Sequence, residues 1–181
     1  MHIELPDDVF YKFRAIEVEI RGRYLRFSAN IEGHIVRNII LLNEELFLKS
    51  NIEIPLNFKD LMFHKKIEKY KSLLIELHFD LFKKHEKLFE ILFEFKEVRN
   101  KIAHNLITHP NTDLNKLTIW ELNQNQDKIW YYEPVEYSVE KLINTLDIFM
   151  RKIIEDFNAL TSAIIEIVKP KMPELFSSLD V

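Results

Sequence analysis

Val98-Arg99-Asn100-Lys101-Ile102-Ala103-His104-Asn105 closes a helical pattern that begins near Phe79, and its reading decides the fold. With about 100° per residue and Val98 at zero, Val98, Ile102, Phe95, Ile91, Leu88, Leu81 and Leu92 share a sector roughly 120° wide. That is a core stripe, with Arg99 on its edge. Glu90, Glu94, Glu97, Lys87 and Lys101 fill a solvent face. The remaining sector holds Phe82, His85, Phe89, Phe93, Lys96, Asn100, Ala103 and His104. Three phenylalanines on a second stripe ask for a second partner, either another helix of the same chain or the same helix of a second subunit, and Phe82, Phe89 and Phe93 are the candidate dimer-interface residues.

The same eight residues carry chemistry. Arginine stays charged and offers a planar fork to phosphate oxygens. Histidine moves a proton near neutrality. A phosphate clamp and a proton-transfer group on one short segment are the minimum for cutting RNA without a metal. Arg99 and His104 lie about 140° apart on a single helix, so two such helices related by a two-fold axis would gather both pairs around one groove. A plainer reading stands beside this one, because cationic side chains near a helix C-terminus also suit the helix dipole.

Outward from the motif, the pattern is helical on the N-terminal side. Pro6, Asp7 and Asp8 read as a helix start, and apolar residues recur at helical spacing from Val9 to about Lys49. A break is expected near Ser28, with Ile31, Ile35, Ile39 and Leu42 as the buried stripe beyond it. Ser50 to Asn57 reads as a loop. Asn57 or Asp60 then caps a helix through Leu77 that carries Leu61, Ile67, Leu73 and Leu74. It joins the motif helix either by a turn near His78-Phe79-Asp80 or without a break.

On the C-terminal side the character changes. Thr108 to Asp113 is turn chemistry. Lys116–Leu122 and Lys128–Tyr132 are β-branched and aromatic around a polar Asn123–Asp127 segment, which predicts a hairpin over about 116–132. Trp120 and Trp130 read as core or interface anchors. Ser138 to Val168 predicts a long final helix, stopped by Lys169-Pro170-Lys171 and followed by a loosely held tail. The expected fold is mainly α: one domain over 1–181, a helical bundle with a β-hairpin inserted after the motif helix.

Composition narrows the classes. The chain has 181 residues, 47% of them hydrophobic, which suffices for a packed core. Its two glycines, Gly22 and Gly33, lie inside apolar periodicity, so no glycine-rich phosphate loop is present. No cysteine is present, which removes thiol nucleophiles and cysteine zinc sites. The histidine pairs His78/His85 and His104/His109 lack zinc-site spacing, and neither a metal nor a cofactor is expected. A net charge of −4 argues against generic polyanion binding, so nucleic acid would need a local site. Arg21, Arg23 and Arg26, interleaved with Tyr24 and Phe27, and Lys96 on the motif helix are the candidate RNA contacts. The lysine run from Lys65 to Lys71 reads as a solvated face. An acidic N-terminus and the lack of long apolar runs suggest a cytoplasmic protein that meets no membrane.

Arg99, four residues and then His104, with polar Asn100 after the arginine and small or apolar residues before the histidine, resembles the Arg-x(4–6)-His motif of the HEPN superfamily. The match covers this one segment at the end of a long late helix. The hairpin is not part of the general family pattern. The resemblance implies a small α-helical domain acting as a metal-independent endoribonuclease in a symmetric homodimer, in a toxin–antitoxin or phage-defence setting. It implies His104 as general acid or base, Arg99 as stabiliser of transition-state charge, and Asn100 as a phosphate contact or orienting group. The products would carry 2′,3′-cyclic phosphate and 5′-hydroxyl ends. Glu32 is a candidate assisting acid, and a separate antitoxin protein a candidate partner. A catalytically silent module of the same type, binding RNA or a protein, is the alternative.

Overall fold

The computed structural model of the chain describes residues 7–50, 61–109, 113–126 and 128–173. The expected start at Pro6, the loop after Ser50, the caps Asn57 and Asp60, and the tail beyond residue 173 lie outside them, as do Pro110 to Thr112 of the expected turn. Among the described residues the protein is mainly helical with one small antiparallel sheet. The order is α1 (Asp7–Ser50), α2 (Phe63–Leu77), α3 (Phe79–Lys84), α4 (Glu86–His104), β1 (Leu106–Thr108), β2 (Lys116–Gln124), β3 (Trp130–Ser138), α5 (Val139–Val168) and a 3₁₀ turn, Lys169–Lys171. No described helix is long and apolar enough to cross a membrane.

α1 corrects the expected break near Ser28, because it runs uninterrupted for 44 residues. Serine and asparagine inside a helix cost only a few tenths of a kcal/mol each. Phe27, Ile31, Ile35 and Ile39 meanwhile keep one buried stripe in phase across the site. The helix before the motif does end at Leu77, near the expected turn. A second interruption at His85 was not foreseen. There the His85 amide donates to both Leu81 and Phe82 carbonyls, at 3.2 and 3.0 Å, and α4 begins at the next residue.

The chain divides into two compact units, one of Met1–Ser28 with Glu97–Met150 and the other of Ala29–Lys96 with Arg151–Val181. The first holds the start of α1, the last turns of α4, the sheet, and the start of α5. Phe13, Ile20, Tyr24, Ile102, Ile107, Leu117, Ile119, Leu142 and Leu146 are among its buried residues. The Tyr24 hydroxyl donates to the Leu142 carbonyl at 2.8 Å, and burial pushes that phenol far above its ordinary range, with Asp147 adding to the shift.

The sheet order is β1-β2-β3, all antiparallel. The hairpin appears where it is expected but is longer, since β3 continues through Pro134 to Ser138. β3 is an edge strand, where proline is tolerated. β1 went unread because three residues offer too little alternation to stand out from turn chemistry. α5 starts one residue after Ser138, whose Oγ accepts from the Lys141 amide at 3.3 Å.

The second unit is helical. Tyr70 stacks on Phe157 with ring centroids 5.9 Å apart and lies 5.4 Å from Phe89, which in turn lies 5.7 Å from Phe82. Buried Asn38 donates to Tyr70 Oη at 3.0 Å and to Thr161 Oγ1 at 2.8 Å, joining α1, α2 and α5. Phe82 and Phe89 are only 3% and 1% exposed. Of the two partners open to that stripe, the chain's own helices are the ones that cover Phe82 and Phe89, which corrects their place as candidate dimer-interface residues. Phe93 is half-buried.

Candidate functional site

α4 delivers the motif into the first unit, and its C-terminus is held from a distance in sequence. Arg21 on α1 donates from Nη1 to the carbonyl oxygens of Ile102 and Ala103, both at 2.8 Å, and from Nη2 to that of Asn105 at 2.9 Å. Its Nε donates to Glu17 Oε1 at 2.9 Å. The last carbonyls of a helix lack intrahelical partners and carry the negative end of its dipole, and a forked cation satisfies several at once. Three of the five guanidinium N–H donors go to these carbonyls and a fourth to Glu17. Arg21 was expected as an RNA contact, and its main work is to fix the end of the motif helix.

His104, the last residue of α4, is exposed. It stands with Arg21 and Asn105 along a groove of about 880 Å³ whose other wall is Trp120, Leu122 and Tyr132, with Leu106 between. All of these belong to the first unit. The Trp120 indole N–H donates to Thr108 Oγ1 at 2.9 Å, which sets the plane of that ring. Among the described lining residues there is no carboxylate, although Arg21 is itself paired with Glu17.

Arg99 is not in the lining. It is half-buried, its Nη1 donates to Asn100 Oδ1 at 3.0 Å, and its Nε is buried without a partner among the described residues. The structure therefore brings His104 together with Arg21, and keeps Asn100 with Arg99 rather than with His104, whose sector it shared on the helical wheel. Lys101 leaves the motif sideways. Its Nζ donates to Glu121 Oε2 at 2.8 Å, and Tyr137 Oη donates to Glu121 Oε1 at 2.6 Å, tying α4 to both long strands. Burial and Glu121 together push the Tyr137 phenol up to about 12.

The other expected contacts are placed less favourably for RNA. Arg23 pairs with Glu19 at 2.7 Å on the surface of α1. Arg26 is exposed, and Lys96 is half-buried within the second unit. Tyr24 and Phe27, offered as stacking residues between the arginines, are buried. In the lysine run, Lys65 pairs with Glu68 and Lys66 with Glu32, at 2.9 and 2.8 Å. That engages the carboxylate offered as an assisting acid.

Sequence reasoning missed His109. Its ring stacks on Phe13 with centroids 3.7 Å apart, and its Nδ1–H donates to the Lys116 carbonyl at 3.1 Å. It lines a second cavity of about 500 Å³ with Phe10, Arg14, Glu17 and Ile107. The only signal in the sequence was a histidine beside a turn. Among the described residues no group of three histidine or acidic side chains is placed to hold a metal ion. No family model, curated protein or solved structure matches this chain.

Proposed function

We propose that this protein is an endoribonuclease of HEPN type that cuts RNA by acid–base chemistry. The observation that carries the reading is His104, exposed at the end of a helix and set along a groove with an aromatic wall. His104 takes the proton of a ribose 2′-hydroxyl, the 2′-oxygen attacks the adjacent phosphorus, and the bond to the 5′-oxygen breaks. The leaving oxygen receives a proton. The products are a 2′,3′-cyclic phosphate and a 5′-hydroxyl.

Charge builds on the phosphoryl oxygens as the bond forms, and a guanidinium placed there lowers the barrier. Arg21, committed to Glu17 and three backbone carbonyls, holds the end of the helix that carries His104. Arg99 and Asn100 join the site across a two-fold pairing of motif helices, so the working enzyme is a homodimer. The resemblance that motivates this reading sets such enzymes in toxin or phage-defence systems, with an antitoxin as separate partner.

One observation favours a second reading, a silent module that binds RNA without cutting it. Arg99 is tied to Asn100 and its Nε is buried, which limits how far it can reach. Turnover separates the two. An enzyme loses cleavage in Arg99→Ala and in His104→Ala while both variants keep the helical signal and melting temperature of the parent. A silent module shows no cleavage in the parent and loses RNA affinity in Arg99→Ala.

A further inference from the structure

α1 grips the segment that leaves the motif helix at two points. Phe13, Glu17 and Arg21 follow one another at intervals of four residues, along one face of α1. At one end of that face Arg21 holds the carbonyls of Ile102, Ala103 and Asn105, on either side of His104. At the other end the His109 ring lies on the Phe13 ring, with centroids 3.7 Å apart and planes 25° from parallel. β1 runs between these two grips. Glu17 sits between them on α1, accepting from Arg21 Nε at 2.9 Å and from Arg14 Nη1 at 2.7 Å, and it lines the same cavity as His109.

We infer that His109 is a positioning residue for His104: as a neutral imidazole it clamps the far end of β1 to α1, and protonation opens the clamp. The inference rests on the ribonuclease reading for the reaction it serves. Geometry sets the charge state. Nδ1–H donates to the Lys116 carbonyl at 3.1 Å, which leaves a lone pair on Nε2. Nε2 is buried and has no hydrogen-bond partner among the described residues, so a proton added there puts charge where water does not reach. Burial is the largest influence on the ring and holds it below its ordinary range. The Lys116 carbonyl, Glu17 on α1 and the Phe13 carbonyl, which already accepts a bond within α1, pull the other way and are outweighed. Arg14 on α1 shares the cavity wall but is paired with Glu17. Lys116 on β2 directs its ammonium to Glu136 on β3, at 3.8 Å. With the folded value below the unfolded one, the clamp contributes fully above the ordinary 6.5 and is lost as pH falls below it. A misplacement of about 1 Å at a catalytic group can cost about a hundredfold in rate, so release of β1 acts on His104 from outside the groove.

The Trp120 indole N–H donates to Thr108 Oγ1, one residue before His109, and the chain has one other tryptophan, Trp130. The Trp120 indole signal in a ¹H–¹⁵N spectrum therefore reports the end of β1 with no RNA present. Followed from neutral to mildly acid pH, it should show an inflection below 6.5 that persists in His104→Gln and disappears in His109→Phe. The phenylalanine keeps the ring stack and cannot titrate. Should that variant fail to fold, His109→Asn offers a donor to the Lys116 carbonyl and carries the same expectation. A signal that does not titrate, or an inflection that goes with His104 and stays in His109→Phe, overturns the clamp. Cleavage supplies the second readout: the acid limb of kcat should be steeper in the parent than in His109→Phe, with KM alike in both. Equal limbs overturn the positioning role. Failure of the ribonuclease reading looks different, because the indole then titrates as expected while RNA stays intact.

Discussion

The guanidinium of Arg21 donates to the carbonyl oxygen of Ala103 at 2.8 Å, across 82 positions of sequence. The residue after Ala103 is His104, so a side chain on α1 fixes the point where the proposed catalytic group leaves its helix. Lysine cannot repeat this. An ammonium is a single point charge and does not span three carbonyls and Glu17. Arg21→Lys is expected to lose about 2 kcal/mol of stability, in the range for hydrogen bonds to a charged group. It should also slow RNA cleavage more than it weakens RNA binding. Urea titration beside a kcat and KM determination checks both.

Phe89 and Phe93 separate core from interface. Phe89 is buried against Tyr70 and Phe82. Phe89→Ala should cost about 3–5 kcal/mol, as expected for a large aromatic removed from a core. Phe93 is half-buried, and its alanine variant should cost clearly less. Denaturation midpoints rank the two variants. An equal, small loss for both would contradict the packing.

The second unit contains a buried carboxylate with an acid-side signature. Glu45 accepts from His78 Nε2 at 2.6 Å, from Lys49 at 3.0 Å and from Lys171, with its own side chain fully covered. Burial alone would raise its pKa. The hydrogen bonds from Lys171, His78 and Lys49 outweigh that and hold it at about 2, against an ordinary 4.5. A folded-state value below the unfolded one stabilises the fold above the unfolded pKa. That contribution drains away as pH falls from about 4.5 towards 2. Glu45→Gln should therefore lose about 2–4 kcal/mol near neutrality and show a flatter fall in stability across that acid window. Urea midpoints of both proteins between neutral and acid pH give the test.

Long periodic segments were legible in the sequence, and short or compensated features were not. The buried stripe from Ile31 to Leu42 and the start of α5 beside Ser138 follow from side-chain spacing and capping alone. The uninterrupted helix through Ser28 does not, because local propensity there is nearly neutral and packing of Phe27 and Ile31 decides. The interruption at His85 has no glycine or proline to announce it. At the site, His104 was legible as a residue type in a motif. Its neighbours were not, since Arg21, Trp120 and Tyr132 reach it only through the fold. The arginine cluster on α1 was noticed, but not that Arg21 is occupied by the end of α4.

A link between the motif helix and the sheet gives a further test. Glu121 accepts from both Lys101 and Tyr137, so it holds the strand carrying Trp120 and Leu122 to the helix carrying His104. Glu121→Gln keeps the size and loses the charge. It should leave the fold intact with a loss of about 1 kcal/mol, and reduce turnover by loosening the groove. Tyr137 should then titrate closer to the ordinary tyrosine range, since the carboxylate that helps push it up is gone. Ultraviolet absorbance against pH checks this.

The central claim is that His104 moves protons in RNA cleavage, and the most direct measurement is end-group analysis of RNA incubated with purified protein in excess EDTA. The account predicts fragments with 2′,3′-cyclic phosphate and 5′-hydroxyl ends, formed at least about a hundredfold more slowly by His104→Ala. Fragments with 3′-hydroxyl ends, or equal cleavage by parent and variant, would contradict it.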